Sequence, residues 1–214
     1  MENSENKNLT GGKLAAKYQY VSAEELIAKM KTAFRNAKEP EILSELETVG
    51  ITESNLDDYL LEIADLEQLS QKQIKEYGEQ YAETDKFNLK RIEIDSLYTR
   101  HRNLAKIIFK GDRQSNTTLG IDEGRKRAFA AWFQQVSNFY AQILANPDFK
   151  TKAETVNIKD PDITAQQTAL EQITALKASQ KKEIGEAQKA TDTRDEALDL
   201  LYPKYTQLIG FAKI

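Results

Sequence analysis

The sequence predicts an all-α protein, an elongated helical bundle formed by two tandem repeats of about 107 residues. Three observations support this prediction. Charged residues make up 30% of the chain, and its 214 residues include only four prolines and nine glycines, a composition typical of helical proteins with charged surfaces. Apolar residues recur at the spacing of an amphipathic helix. The chain also aligns with itself over much of its length.

The repeat appears when the sequence is aligned with itself at an offset of 107 residues. Positions 40–107 then overlay positions 147–214 without a gap, and 18 of the 68 pairs are identical, whereas unrelated sequences of this composition give about four. The register fades before Pro40, so the first helix of each repeat has either diverged or shifted. The identical pairs include Pro40 with Pro147, Glu47-Thr48-Val49 with Glu154-Thr155-Val156, Gly78 with Gly185, Thr84-Asp85 with Thr191-Asp192, and Tyr98-Thr99 with Tyr205-Thr206.

Each repeat begins with a predicted amphipathic helix. The first starts after Ser22, whose spacing to Glu25 is that of a capping box, and ends before Glu39-Pro40. The second follows Asp122-Glu123-Gly124 and ends near Asn146-Pro147; its aromatic stripe predicts core packing. The apolar stripes are Leu26, Ile27, Met30, Ala33, Phe34 and Ala37 in the first repeat and Phe129, Trp132, Phe133, Val136, Phe139, Tyr140, Ile143 and Leu144 in the second.

A short helical turn is predicted next in each repeat, through Leu46 and through Ala153. The segments 48–51 and 155–158 that follow are rich in β-branched residues, which predicts extended connectors because neither repeat offers a strand to pair with them.

The remainder of each repeat is predicted to be one very long helix. Capping residues mark its start at Thr52-Glu53-Ser54 in repeat one, and Asp160-Pro161 does so in repeat two. About 55 residues at about 1.5 Å each would span roughly 80 Å. The predicted buried stripe of the first copy is Leu56, Leu60, Ile63, Leu66, Ile74, Tyr77, Tyr81, Leu89, Ile92, Tyr98, Ala105 and Ile108.

Three residues predict departures from a straight long helix. Pro203 removes a backbone donor and clashes with the preceding turn, so we expect a kink there. Gly78 and Gly185 occupy equivalent positions, and each is either a turn that folds the long element into a hairpin or a close helix contact.

The predicted domain organisation follows the repeats. A polar tail at 1–14 precedes repeat unit 15–109, a Gly-, Ser- and Thr-rich linker at 110–121, and repeat unit 122–214; the two units are expected to pack as one bundle. The second copy ends at Ile214, where the first copy continues into Ile108, which gives the hypothesis that the natural chain extends further.

Composition excludes several functional classes. The chain has no cysteine, which rules out disulfides, thiolate metal sites and cysteine nucleophiles. No signal-peptide pattern and no run of apolar residues long enough to cross a membrane is present, so we expect a soluble, cytoplasmic protein. A net charge of −4 makes nucleic acid an unlikely partner.

No residue set predicts a catalytic, cofactor or metal site. His101 is the only histidine and its equivalent in the second copy is Leu208, which favours a packing role. The best carboxylate pairs for a metal are Glu76 with Glu79 and Glu183 with Glu186, but the neighbouring Lys75 and Lys182 favour a salt-bridged surface instead. We therefore expect an enzyme to be the least favoured class.

Charge is distributed unevenly along the chain. Positions 39–85 hold 14 acidic and 2 basic residues, whereas positions 100–127 hold 8 basic and 3 acidic ones. The basic segment is a candidate surface for an anion or a partner, and positions 102, 106, 110 and 113 share one side of a helix if the helix continues that far. Its basic residues are Arg100, Arg102, Lys106, Lys110, Arg113, Arg125, Lys126 and Arg127.

The stretch Leu104-Ala105-Lys106-Ile107-Ile108-Phe109-Lys110-Gly111-Asp112, closing at Leu119-Gly120-Ile121, resembles the closing stretch of a group of uncharacterised bacterial helical proteins. The resemblance covers about 18 residues and is missing from the second copy. It implies a helical fold and no particular activity.

Together these patterns predict a non-catalytic structural or protein-interaction bundle without a cofactor, which binds a protein partner or associates with itself. The alternative is a module that binds an anionic polymer or a lipid surface through the basic segment 100–127.

Overall fold

The computed structural model describes residues 21–213, and within this range the chain forms seven α-helices and no strand. The predicted all-α class is therefore confirmed. None of these helices combines the length and the apolar character needed to cross a membrane. The helices are α1 (Ala23–Asn36), α2 (Pro40–Thr48), α3 (Glu53–Ile108), α4 (Arg113–Thr118), α5 (Phe129–Ala145), α6 (Pro147–Glu154) and α7 (Asp160–Phe211).

The helices are divided between two compact units. Unit 1 contains the described residues up to Gln80 and those from Glu183 onward, and unit 2 is Tyr81–Lys182. The long helices α3 and α7 each contribute one part to unit 1 and the other part to unit 2. The compact units therefore have boundaries different from those of the sequence units 15–109 and 122–214.

The start of each helix follows local capping signals. Ser22 caps α1 by accepting a hydrogen bond from the Glu25 backbone N–H (3.2 Å), as predicted. Thr52 and Asn55 cap α3 reciprocally: the Thr52 N–H donates to Asn55 Oδ1 (3.0 Å) and the Asn55 N–H donates to Thr52 Oγ1 (3.3 Å). These bonds satisfy backbone donors that have no partner within the helix.

The predicted extended connectors at 48–51 and 155–158 are wrong. Each segment is the C-terminal cap of a short helix, α2 or α6, and turns the chain with one left-handed residue, Gly50 (φ +85°) or Asn157 (φ +62°). In both caps the second residue beyond the helix donates its N–H back, from Ile51 to the Leu46 carbonyl at 3.0 Å and from Ile158 to Ala153 at 3.1 Å. Capping geometry overrides the β-branched side chains here.

Neither glycine of the long helices makes a turn. Gly78 lies inside the uninterrupted α3 and Gly185 inside the uninterrupted α7. A Cβ atom added to either glycine would meet no neighbouring atom within 4 Å, so neither position is required for a close helix contact. Pro203 also lies within α7 without ending it; the kink there stays a prediction.

Each unit has its own hydrophobic core. In unit 1, α1 packs against the first part of α3 and the last part of α7 through a set of fully apolar side chains. In unit 2 the aromatic stripe of α5 is buried, as predicted, with Trp132 only 2% exposed. The main contributors are Leu26, Ile27, Met30, Phe34, Leu56, Ile63, Leu66, Leu198 and Leu201 in unit 1, and Ile94, Tyr98, Phe109, Trp132, Val136, Phe139, Tyr140, Ile143, Ile163 and Ile173 in unit 2.

The predicted stripe of α3 is correct at its two ends and wrong in its middle. Leu56, Ile63 and Tyr98 are buried. In the central region the apolar side chains of the predicted stripe are exposed, whereas Ser70 and Gln73 are buried. The exposed residues of the predicted stripe are Ile74, Tyr81, Leu89 and Ile92.

Buried polar contacts explain the middle of the long helices. In unit 1 the Gln73 side chain donates to Thr191 Oγ1 (3.2 Å), and in unit 2 the Gln180 side chain donates to Thr84 Oγ1 (3.3 Å). The two glutamines, and likewise the two threonines, lie 107 positions apart. The same hydrogen bond therefore occurs once in each unit, with the donor and acceptor exchanged between α3 and α7.

The fading of the repeat before Pro40 has a structural reason. Three residues separate α1 from α2, whereas Asn146 alone separates α5 from α6. The first helices are thus displaced by two further positions, and an offset of 109 aligns their buried residues. The aligned buried pairs are Ile27 with Val136, Met30 with Phe139, and Phe34 with Ile143.

Candidate functional site

The most prominent candidate site is a groove in unit 1, enclosed by α1, α2 and the C-terminal end of α7. Its volume is about 1140 Å³; we call it the unit 1 groove. Apolar side chains form most of its floor, and polar side chains form its rim. The apolar lining residues are Ala28, Ala33, Ala37, Ile42, Leu46, Val49, Tyr205, Leu208, Ile209, Phe211 and Ala212, and the polar ones are Glu25, Lys29, Thr32, Asn36, Glu41, Glu45 and Thr48.

Two large apolar side chains of the groove are open to solvent. Ile42 is 43% exposed and Val49 is exposed to a similar extent, both on α2 or its C-terminal cap. Single exposed apolar residues are ordinary, but a concave cluster rimmed by polar side chains marks a binding surface.

The rim of the unit 1 groove is acidic. Glu25 and Lys29 form an i,i+4 ion pair (2.8 Å), and this hydrogen bond raises the pKa of Lys29. Glu41 and Glu45, one turn apart on α2, form no ion pair with any described residue. The groove therefore presents two uncompensated carboxylates beside the exposed Ile42.

Sequence patterns did not predict this groove. Its walls come from α1, α2 and the last two turns of α7, so residues such as Ile42 and Ile209 are brought together across more than half of the chain. The one local signal was an apolar residue, Ile42, in an otherwise acidic stretch.

The basic segment 100–127 is only partly available as a surface. Arg102 is buried, and its guanidinium donates to the backbone carbonyls of Ile121 (3.2 Å) and Glu123. It is therefore part of the internal structure of unit 2. The Arg125 side chain pairs with Asp95.

The other basic residues remain at the surface. Lys126 pairs with Glu123 (2.7 Å). Within the described residues no ion pair involves the exposed side chains of five others. Since α3 ends at Ile108, the predicted stripe over positions 102, 106, 110 and 113 does not lie on one helix. The five unpaired basic residues are Arg100, Lys106, Lys110, Arg113 and Arg127.

His101 lies inside the core of unit 2, with 5% of its surface exposed. Its Nδ1 is 3.1 Å from the Tyr140 hydroxyl, and the two rings meet edge to face at 5.9 Å. Burial lowers the pKa of His101, against a smaller opposing effect of Asp162, and burial raises the pKa of Tyr140. The imidazole is a packed, hydrogen-bonded core group that solvent does not reach.

Three of the predicted candidate metal ligands converge in unit 1. Carboxylate oxygens of Glu76, Glu79 and Glu183 all lie within 4.8 Å of one another. Lys75 Nζ lies 3.2 Å from Glu79, and this hydrogen bond raises the pKa of Lys75. The cluster is thus partly neutralised by the neighbouring lysine, as the sequence indicated, and Glu186 does not belong to it.

The geometry therefore offers one concave apolar surface, one partly paired basic surface and one acidic cluster. No protein-family model matches the chain, and neither a curated protein nor a solved structure matches it.

Proposed function

We propose that this protein is a non-catalytic interaction protein whose unit 1 groove binds a segment of a partner protein. The observation that carries the proposal is the groove itself: an apolar floor of about 1140 Å³ with solvent-exposed Ile42 and Val49 at its edge. An amphipathic segment recognises such a surface by inserting its apolar side chains between helices.

The dimensions favour a peptide segment over a small molecule. Pockets for small ligands have volumes of roughly 300–1,000 Å³ and hold a few convergent polar groups that fix the ligand's orientation. The polar residues of the unit 1 groove lie at its rim, where Glu41 and Glu45 face solvent rather than a common point. Such a rim suits a longer ligand that crosses the groove.

We also propose that the bundle arose by duplication of one helical repeat. Support comes from the 18 identities at an offset of 107 residues and from the Gln73–Thr191 and Gln180–Thr84 hydrogen bonds. The left-handed caps at Gly50 and Asn157 occupy equivalent positions as well. Duplication leaves two related grooves that can diverge, and this bears on the partner.

A selection from a library of short random peptides tests the proposed function. We expect peptides that bind the wild-type protein and lose affinity by at least about tenfold in an Ile42→Lys variant, because the ammonium group cannot be buried in an apolar floor without large cost. Leu200→Lys is the matched control, since Leu200 lies in the same unit, outside the groove, and is 74% exposed.

Circular dichroism establishes that both variants fold. Recovery of no peptide, or of peptides that bind the Ile42→Lys variant as well as the wild type, contradicts the proposed function.

The second candidate function is binding of an anionic polymer through the basic segment. The observation in its favour is the set of exposed, unpaired cations described above. Replacing Lys106, Lys110 and Arg113 together by serine should shift elution from immobilised heparin to lower salt, since each lost cation releases fewer counterions on binding. An unchanged elution position eliminates this candidate.

A further inference from the structure

We infer that the segment bound by the unit 1 groove has the chemistry of this chain's own residues 109–121: an aromatic anchor, a basic residue within the next four positions, and a short helical turn that ends in aliphatic side chains. This inference rests on the proposed function, because it names the class of partner for the same groove.

Unit 2 shows how such a segment binds. Phe109 is buried against Phe149, with ring centroids 5.3 Å apart, and the Lys152 ammonium lies 5.1 Å from the centroid of the Phe109 ring. The chain then forms α4, which Asp112 caps by accepting hydrogen bonds from the Ser115 N–H (3.0 Å) and hydroxyl (2.6 Å).

Beyond α4, the segment is fixed to the helices of unit 2 through its backbone. The Asn138 side chain on α5 donates to the Thr118 carbonyl (3.1 Å), and Arg102 on α3 donates to the Ile121 carbonyl (3.2 Å). Leu119 and Ile121 are fully buried in the core. Apolar anchors at both ends and backbone contacts between them therefore hold residues 109–121 in place.

The residues of unit 2 that contact this segment correspond to residues that line the unit 1 groove. The correspondence uses the offset of 107 for α2, α3, α6 and α7, and the offset of 109 for α1 and α5. Every counterpart of the four contacts above falls within the groove lining. The corresponding groove residues are Ile42 for Phe149, Glu45 for Lys152, Ile209 for Arg102 and Lys29 for Asn138.

Exposure differs as a covered and an uncovered surface should. Phe149 is 8% exposed beneath Phe109, whereas its counterpart Ile42 is 43% exposed. Ala105 is fully buried, whereas its counterpart Ala212 is exposed. The unit 1 groove is therefore the equivalent of a surface that the chain covers in unit 2 with its own residues 109–121.

Charge indicates the basic residue of the partner. Lys152 beside the anchor in unit 2 is replaced by Glu45 in unit 1, where Glu41 adds a second carboxylate one turn away. A cation next to the aromatic anchor complements these carboxylates. The covering segment of unit 2 already has this pattern, because Lys110 and Arg113 follow Phe109.

The occupant comes from another protein rather than from a second copy of this chain. Phe109, Leu119 and Ile121 are each at most 1% exposed in unit 2, so the one segment of the described chain with this chemistry is already used internally. A second copy can supply it only by unfolding part of its own core.

A labelled synthetic peptide with the sequence of residues 107–122 is the probe, with fluorescence anisotropy as the readout. We expect saturable binding to the folded full chain, weakened at least about tenfold by Ile42→Lys and unaffected by Leu200→Lys. A Glu41→Gln/Glu45→Gln variant should weaken binding and reduce its dependence on salt. A peptide with Phe109→Ser should not bind.

Each other outcome overturns the inference. Binding that survives Ile42→Lys means that the peptide attaches elsewhere, for example by displacing residues 109–121 in unit 2. A dimer in sedimentation that dissociates on Ile42→Lys means that a second copy occupies the groove. If the random-library selection yields groove-dependent peptides that lack the aromatic-basic pattern, this inference fails while the proposed function stands.

Discussion

Trp132 shows how much one side chain contributes to unit 2. It is 2% exposed, its indole N–H donates to Asp95 (2.9 Å), and the Arg91 guanidinium stacks on its ring. Replacing a buried aromatic residue by alanine removes transfer free energy and leaves a cavity.

We predict that Trp132→Ala lowers the free energy of unfolding by about 3–5 kcal/mol, measured by urea denaturation. Leu200→Ala is the control, because Leu200 is 74% exposed and surface substitutions change stability by about 0.5 kcal/mol or less. A loss under about 1 kcal/mol for Trp132→Ala would contradict a core role.

His101 should make stability depend on pH in a window where carboxyl groups do not titrate. Burial lowers its pKa in the folded state below the ordinary 6.5, so the unfolded chain takes up the proton at a higher pH. The stabilisation is complete above pH 6.5 and is lost as the pH falls through the lower folded pKa. Because His101 is the only histidine, the effect should be isolated between about pH 5 and 7.

The measurement is the free energy of unfolding at several pH values across this window, for the wild type and for a His101→Leu/Tyr140→Phe variant. Leucine is the residue at the equivalent position 208, and phenylalanine removes the phenol that His101 contacts. The variant should lose the pH dependence. An equal slope in both proteins would show that His101 titrates normally.

At the scale of single helices, the long elements should gain from removal of their central glycines. A glycine inside a helix costs about 1 kcal/mol relative to alanine, and a Cβ atom at Gly78 or Gly185 would meet no atom within 4 Å. We predict that Gly78→Ala and Gly185→Ala each raise the free energy of unfolding by about 0.5–1 kcal/mol, measured by urea denaturation. Destabilisation would mean that the helix bends at that residue.

For the whole molecule, the two shared helices predict one cooperative unfolding transition. Because α3 and α7 each have residues in both units, melting of one unit exposes part of a helix that the other unit needs. Fluorescence of Trp132, the only tryptophan, reports on unit 2, whereas far-ultraviolet circular dichroism reports on every helix. The two midpoints in urea should coincide; separate midpoints would show that the units unfold independently.

Much of the helical organisation could be predicted because it depends on neighbours in sequence. The capping residue Ser22, the break at Asn146-Pro147 and the aromatic stripe around Trp132 all act over one or two turns. The duplication was visible for the same reason, since matching residues recur in the same order. Where the prediction failed, as at 48–51, a helix cap competed locally with β-branched side chains.

The candidate site was beyond such patterns. Periodicity shows that a helix has an apolar face, but which face is covered depends on helices distant in the chain. Gln73 is buried because Thr191 and Arg194 lie against it, more than 100 positions away, while Ile74 beside it is exposed. In the same way Ile42 becomes part of a groove only when the end of α7 packs beside α2.

Sequence alone determined that the chain is helical, where most helices begin and end, and that one length of it is repeated, because backbone capping and helical periodicity act between residues a few positions apart. Tertiary structure alone decided which equivalent surfaces are covered. Residues 109–121 fill the surface in unit 2, and the corresponding surface in unit 1 stays open, because burial is settled by whichever distant segment packs there and not by the helix that presents the surface.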